Sequence, residues 1–259
     1  MDVVISSILA PTISIISYYQ AYPDWKNATC DHFARNAYLY TLSMLVIFWM
    51  FITILNYTGI GNNIINTIFS SWLTEILYLI IIIVSLMLVQ WTNPQKVALK
   101  HFLLLVFIFL FSINGVVLYI AYQNVLIAAL AISILIGFIT YQIVMTYPTL
   151  VTPKRAELIS YGIIFLFIIN LIFIISVPHL IAQYPSIIYT SIFVFSILFA
   201  VLFSLRMMVH HQNIVDHAKI CDLKTHIPDY INEAVGVFIT FVNLLIEIAS
   251  ILSGRRRKY

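Results

Sequence analysis

Non-apolar residues recur along one face of the last apolar segment of the chain, over residues 231–254. Their spacings of three and four place them on one stripe of an α-helix. The stripe consists of Glu233, Gly236, Thr240, Asn243, Glu247, Ser250 and Gly254. A helix surrounded only by lipid has no use for such a stripe, because polar groups at membrane depth must be satisfied by protein or by water in a cavity. The pattern therefore favours a helix whose polar face looks into a bundle of other helices.

The same stripe has a second interpretation that the residues leave open. Gly236, Asn243 and Ser250 would also let a neighbouring helix approach closely, as small and polar residues do in membranes. The stripe then serves packing and forms no pathway.

Glu247 carries the most distinctive chemistry of the stripe. It lies about six residues past the middle of the segment, so at ~1.5 Å per residue it is roughly 9 Å from the centre of a hydrocarbon core whose half-thickness is ~15 Å. An ionisable side chain at that depth is a functional candidate. The alternative is a snorkelling or protonated acid near the basic tail, which consists of Arg255, Arg256, Arg257 and Lys258.

The acids at the start of the same segment indicate a structural role. Asp229 follows Pro228 and is a natural N-cap for the helix. Glu233 then falls in the first turn, where a carboxylate interacts favourably with the helix dipole.

A second polar group surrounds the end of the preceding apolar segment. Its members are His210, His211, Asp216, His217, Cys221 and His226. The adjacent His210 and His211 point in different directions on a helix, and no spacing places three ligands on one face. The sequence therefore predicts a solvated, mildly pH-sensitive loop and no metal site. The two cysteines, Cys30 and Cys221, likewise predict no disulfide framework.

The chain lacks the motifs of membrane enzymes. Intramembrane aspartyl cleavage needs two aspartates in the membrane, and no Asp lies inside a predicted span. A metalloprotease helix needs His-Glu-x-x-His, and neither this motif, a nucleophile elbow nor a phosphate loop is present. We predict a protein that is not an enzyme and that uses no cofactor.

The amino-acid composition predicts that the candidate residues lie on transmembrane helices. Of 259 residues, 62% are hydrophobic and 9% are charged, and the mean hydropathy is +1.02, as expected for an integral membrane protein. Seven stretches approach the length of about twenty residues that a bilayer requires. They are residues 37–55, 72–89, 101–122, 125–146, 158–177, 187–209 and 230–252. The predicted fold is all-α with seven transmembrane helices, preceded by a cytosolic or interfacial segment (1–36) and followed by a basic tail (255–259).

The basic residues predict the orientation of these helices. If the helices alternate, one side of the membrane receives Lys26, Arg35, Lys96, Lys100, Lys154, Arg155, Lys219 and Lys224. The loops on the other side contain no Lys or Arg, which favours a cytosolic N-terminus. The basic tail is the exception, because a fully crossing last helix would place it on the far side. Residues 2–19 are apolar but contain Pro11, and we interpret them as a surface-lying segment, with an extra span as the alternative.

Two segments near the C-terminus resemble a known family. Residues 202–212 read Leu202-Phe203-Ser204-Leu205-Arg206-Met207-Met208-Val209-His210-His211-Gln212, similar to the Leu-Phe-Ser-Gly-Tyr-Leu-Leu-Tyr-Asp-Thr-Gln signature of the Bax inhibitor motif family. Residues 229–234, Asp229-Tyr230-Ile231-Asn232-Glu233-Ala234, resemble its Asp-Tyr-Ile-x-x-Ala. Residues 237–245 resemble its Leu-Tyr-Leu-Asp-Ile-Ile-Asn-Leu-Phe, with Asn243 and Asp229 as the sharpest matches.

The resemblance implies six helices around a central seventh, in the membrane of the endoplasmic reticulum or Golgi. It also implies a passive calcium leak and suppression of cell death, with the bilayer, calcium or protons and other membrane proteins as partners and no nucleic acid. Divergent viral members exist, and the Ile-, Asn- and Tyr-rich composition is compatible with one.

The chain departs from the family at the residues that gate the leak. The two gating aspartates of the family correspond here to His210 and Thr240, so a pair of carboxylates sharing one proton cannot form. Protonation of His210 would instead create a positive charge that repels calcium. The predicted polar pathway is therefore His210, Thr240, Asn243 and Glu247. The alternative is a non-conducting protein that alters the trafficking or survival signalling of partner membrane proteins.

Overall fold

The computed structural model describes residues 30, 32–68, 70–180, 185–221 and 228–254. These residues form α1 (Phe33–Tyr57), α2 (Ile60–Ile68), α3 (Trp72–Trp91), α4 (Val97–Tyr122), α5 (Leu126–Thr146), α6 (Pro153–Leu180), α7 (Pro185–Ile220) and α8 (Tyr230–Gly254). No strand occurs among the described residues, and the predicted all-α fold is confirmed for them. Segments 1–29 and 255–259, which include the surface-lying segment and the basic tail, lie outside the described residues.

Six helices in the described part of the chain are long and apolar enough to cross a membrane, which identifies an integral membrane protein. They are α1, α3, α4, α5, α7 and α8. The predicted fifth span, residues 158–177, lies in α6, which is not among the six. The total of seven spans therefore stays a prediction.

Prolines begin two of the helices. Pro153 is the first residue of α6 and Pro185 is the first residue of α7. At this position the missing backbone N–H costs nothing, because the first N–H groups of a helix have no partner within it. Helix α6 continues through Pro178 to Leu180, beyond the predicted end of the fifth span at residue 177. A proline so near a helix end disturbs few hydrogen bonds.

A short amphipathic helix that we did not predict, α2, follows the first span. It has nine residues, too few to cross a bilayer. The chain enters it through Gly59, whose φ of 71° is in the left-handed region that glycine adopts without strain. Gly61 packs closely, since a Cβ there would lie 3.0 Å from the Leu55 carbonyl oxygen and 3.2 Å from Val116 Cγ1.

Helix α7 continues well beyond the predicted end of the sixth span at residue 209. Its 36 residues extend to Ile220, so at ~1.5 Å per residue it is about 54 Å long, against a hydrocarbon core of ~30 Å. The prediction of a loop after residue 209 is therefore wrong for His210, His211 and His217, which are helical. A physical reason is Ile214, which is 0% exposed and gives this part of the helix an apolar anchor. His226 lies outside the described residues.

Cys30 and Cys221 form a single disulfide, a pairing that the sequence did not predict. Their Cα atoms are 5.6 Å apart across 191 residues of chain. This separation is within the range that a disulfide requires. Two cysteines so distant in sequence show no local pattern, so only the packing of the chain brings them together.

The chain divides into two compact units. The first unit joins the residues up to Ala121 with Ile214–Phe238, and the second joins Tyr122–Asn213 with the residues from Ile239 onward. In the first unit, the ring of Phe238 packs edge-on against Phe48, Phe107 and Phe111 at centroid distances of 5.6, 6.4 and 5.7 Å. Such aromatic pairs add stability beyond the area that they bury.

Helix α8 is the most buried of the six candidate spans. Of its most apolar stretch 56% is buried, against 22–44% in the other five. Its residues belong to both units, the first turns to one and the remainder to the other.

Candidate functional site

The second unit holds a carboxyl group with two hydroxyl neighbours. Glu247 shares a hydrogen bond with Ser196 of α7, and the Oγ atoms of Ser196 and Ser250 lie 2.9 Å apart. Glu247 and Ser250 are three residues apart on α8, so their side chains lie on the same face. Ser196 is 5% exposed. The stripe therefore meets a buried polar residue of a second helix at this point.

No cation neutralises Glu247 in the described part of the chain. The ion pairs found there are Lys100–Asp229, His217–Glu233 and Lys219–Asp216. The hydrogen bond that the structure gives to the carboxyl of Glu247 is therefore shared with a hydroxyl group, that of Ser196. Sequence reasoning selected Glu247 but missed Ser196, because nothing in the spacing of α7 marks one serine among several.

Two further members of the predicted pathway, Thr240 and Asn243, lie on α8 within the same unit. Thr240 is 4% exposed and Asn243 is half-buried. They continue the stripe from Glu247 toward the start of the helix at spacings of four and three. The stripe is therefore polar over two turns inside this unit.

His210, the remaining member of the predicted pathway, makes no direct polar contact with the pathway residues of α8 in the described structure. It is half-buried on α7, one turn after Arg206. No hydrogen bond or ion pair joins His210 to Thr240, Asn243 or Glu247 within the residues that the structure covers. Arg206, which was not predicted as a site residue, donates from Nη1 to Ser160 Oγ of α6 at 2.7 Å.

His211 and Gln212 form a buried polar group that sequence reasoning placed in a loop. Both are 4% exposed. The ring of His211 lies edge-on to Tyr141 of α5 with centroids 5.7 Å apart, and the side chain also donates to the Gly137 carbonyl. Gln212 Oε1 has no hydrogen-bond partner among the described residues. A buried acceptor of this kind is normally satisfied by water.

The start of α8 is anchored in the first unit by a buried ion pair. Asp229 accepts from the Asn232 backbone N–H at 3.2 Å, which confirms it as the predicted N-cap. The same carboxylate accepts from Lys100 Nζ at 2.5 Å, and Lys100 also donates to the Thr92 carbonyl at 3.0 Å. Lys100 is only 1% exposed, so it is a buried structural residue although the sequence suggested a loop charge.

Glu233 has a second ionic contact close by. It lies in the first turn of α8, as predicted, and its Oε1 is 2.6 Å from Nδ1 of His217 on α7. The partner came from the helical extension that sequence reasoning assigned to a loop. Glu233 therefore also links the end of α7 to the start of α8.

One comparison with known proteins returned a match. A family model described as "Inhibitor of apoptosis-promoting Bax1" matches residues 30–257, which include all eight described helices. Neither the curated proteins nor the solved structures contain a match to the chain.

Proposed function

This chain belongs to the Bax inhibitor family, and on that premise we propose that it modulates calcium or ion leak across an internal membrane and suppresses cell death. The six candidate spans support a multi-pass membrane protein. The endoplasmic reticulum or Golgi, with a cytosolic N-terminus, is the proposed location. The lack of Lys and Arg in one set of loops supports that orientation.

The proposed architecture has seven spans, with six helices around α8. The greater burial of α8 supports this arrangement, since a central helix contacts protein on every side. Helix α6, at 28 residues, has the length for the remaining span.

The proposed ion path follows the stripe on α8 through Thr240, Asn243 and Glu247. The observation that carries this proposal is the carboxyl of Glu247, which contacts Ser196 and, among the described residues, no cation. Calcium prefers oxygen ligands, and carboxylate, hydroxyl and amide oxygens follow one another along this face. An ionisable side chain within a transmembrane helix is costly to desolvate, and such residues typically line a route for ions or protons.

Control of this path differs from that of a paired-aspartate gate. His210 and Thr240 share no hydrogen bond, and together they supply no carboxylate. The proposed path therefore has no gate made of two acids that share a proton at these positions. His210 would act only at a distance, through the positive charge that it acquires on protonation.

Calcium flux from liposomes tests the proposal. Purified protein is reconstituted with a trapped calcium dye, and native protein is compared with Glu247→Gln and with the control Glu75→Gln, whose acid is exposed in the first turn of α3. We expect Glu247→Gln to slow the leak by about tenfold, the change that ~1.4 kcal/mol on a barrier produces. Glu75→Gln should leak like the native protein. A native leak rate in folded Glu247→Gln would overturn the assignment.

A second candidate function is favoured by the replacement of the gating pair with His210 and Thr240. In this case the chain does not conduct, and it binds other membrane proteins and alters their trafficking or survival signalling. The expected result is no flux from folded native protein, together with retained protection of cells against induced death. Flux from the isolated native protein would exclude it.

A further inference from the structure

The two cysteines lie at the ends of helices whose packing contacts do not involve the cysteine side chains. Cys30 accepts from the Phe33 backbone N–H at 3.2 Å, which fixes it to the start of α1. Phe33 in turn packs on Tyr230, the first residue of α8, with ring centroids 5.2 Å apart. Cys221 directly follows the last residue of α7. All of these contacts lie within the first unit.

An ion pair supports the second cysteine in the same way. His217, one turn before Cys221, contacts Glu233 in the first turn of α8. Each cysteine therefore lies within about one helical turn of a residue that touches the start of α8. These contacts do not depend on the sulfur–sulfur bond, so they would keep two free thiols close together. Thiols held in this way exchange rapidly with a small disulfide, because the second step is intramolecular.

Both cysteines are also within reach of a small reagent. Cys30 and Cys221 are half-buried residues, so neither belongs to the fully buried core. Their Cα separation of 5.6 Å suits the bond without movement of the backbone. The same helix ends can therefore accommodate the oxidised and the reduced state.

The redox state of the cysteine pair depends on the side of the membrane that it faces. Cys30 and Cys221 belong to the side that carries the basic residues, among them Lys96 and Lys219 of the same unit. The positive-inside rule assigns this side to the cytosol. The cytosol keeps thiols reduced, and disulfides that form there are transient, catalytic or redox-sensing.

We propose that Cys30 and Cys221 form a thiol–disulfide switch that covalently joins the ends of α1 and α7 when the cytosol becomes oxidising. The oxidant is a low-molecular-weight disulfide such as oxidised glutathione. One cysteine thiolate attacks it and releases one glutathione thiol; the second cysteine then displaces the other glutathione. The protein loses two protons and two electrons as its bond forms, and the oxidant becomes two thiols.

The switch acts on the start of α8. In the reduced protein, non-covalent contacts hold this region, among them the ion pairs Lys100–Asp229 and His217–Glu233 and the Phe33–Tyr230 packing. In the oxidised protein a covalent bond is added to them. The oxidised form is therefore more resistant to thermal unfolding and depends less on salt-sensitive contacts.

Thiol counting tests the switch without any measurement of ion flux. Native protein is equilibrated in glutathione buffers from cytosol-like to strongly oxidising ratios, and free thiols are trapped with a polyethylene glycol maleimide. We expect both thiols to be tagged in the cytosol-like buffer and neither in the oxidising one, with monomer mobility on a non-reducing gel. Tagging of both thiols in every buffer would overturn the switch. Protection of both thiols in the cytosol-like buffer would also overturn it, because the disulfide would then be permanent. A dimer band on the non-reducing gel would overturn it as well, because the bond would then join two chains.

Thermal unfolding in the same buffers gives a second readout. The midpoint of the native protein should fall on reduction, whereas a Cys30→Ser/Cys221→Ser variant should respond to neither buffer. An equal response of the variant would overturn the proposal. In cells, glycosylation of Asn27, three residues before Cys30, would place the pair in the lumen and would also overturn it. Because none of these readouts requires conduction, a protein without ion leak can still contain the switch.

Discussion

At the scale of single residues, polar side chains in this protein are joined in pairs between helices. Ser196 of α7 contacts Glu247 of α8, Lys100 of α4 contacts Asp229 before α8, and Arg206 of α7 contacts Ser160 of α6. Each pair satisfies groups that burial would otherwise leave without partners. Their removal should therefore have effects larger than surface substitutions have.

The hydroxyl beside Glu247 provides the first residue-scale prediction. Ser196→Ala removes the hydrogen bond to Glu247, so the carboxyl loses its fixed orientation and calcium leak should change severalfold. Ser204→Ala is the matched control, since Ser204 donates within its own helix to the Ala200 carbonyl. Flux from liposomes measures both variants. Equal leak rates in the two variants would show that Ser196 is not part of the ion path.

The buried ion pair provides the second prediction. Lys100→Ala leaves the half-buried Asp229 without its cation, and loss of a hydrogen bond to a charged group typically costs about 1.5–3 kcal/mol. Lys96→Ala, at an exposed position one turn earlier, should cost less than about 0.5 kcal/mol. Unfolding in detergent with increasing denaturant measures both. Similar midpoints for the two variants would show that Lys100 contributes nothing to stability.

At the scale of the helices, close packing depends on glycine where two spans meet. A Cβ on Gly115 of α4 would lie 2.7 Å from Cζ of Phe48 on α1. Gly137 of α5 is different, because a Cβ there would meet nothing within 4 Å. The two positions form a natural pair for an experiment on packing.

We expect Gly115→Ala to destabilise the protein by about 1–3 kcal/mol, since the added methyl group forces apart α1 and α4. Gly137→Ala should be neutral or stabilising by up to ~1 kcal/mol, because alanine favours a helix more than glycine does. Thermal unfolding in detergent compares them. A more stable Gly115→Ala protein would contradict the close approach of the two helices.

At the scale of the whole molecule, orientation links the membrane topology to the cysteine pair. The sequon Asn27-Ala28-Thr29 is on the side that we propose to be cytosolic, and Asn56-Tyr57-Thr58 is at the end of α1, which we predict to lie at the membrane surface. Neither should carry glycan, because transfer occurs in the lumen and needs distance from the membrane. Treatment with a glycosidase should leave the mobility of the expressed protein unchanged. An engineered acceptor in a lengthened loop after α1 serves as the positive control.

Much of this protein could be predicted from local features of its sequence. Apolar stretches located six helices that can span a membrane, because the length of a span is a property of consecutive residues. Asp229 was identified as an N-cap for the same reason, and the two motif segments identified the family that the chain belongs to. Glu247 was selected because an acid at membrane depth is rare.

Only the tertiary structure decided which of these elements touch. The Cys30–Cys221 bond, the Lys100–Asp229 pair and the Ser196–Glu247 contact each join residues that are distant in sequence. Hydrophobic length places a helix in a membrane but does not select the faces that meet, because lipid and a neighbouring helix are almost equally apolar. Partners are selected by the fit of many side chains at once. That fit is also why residues expected in a loop after residue 209 are helical and include the fully buried Ile214.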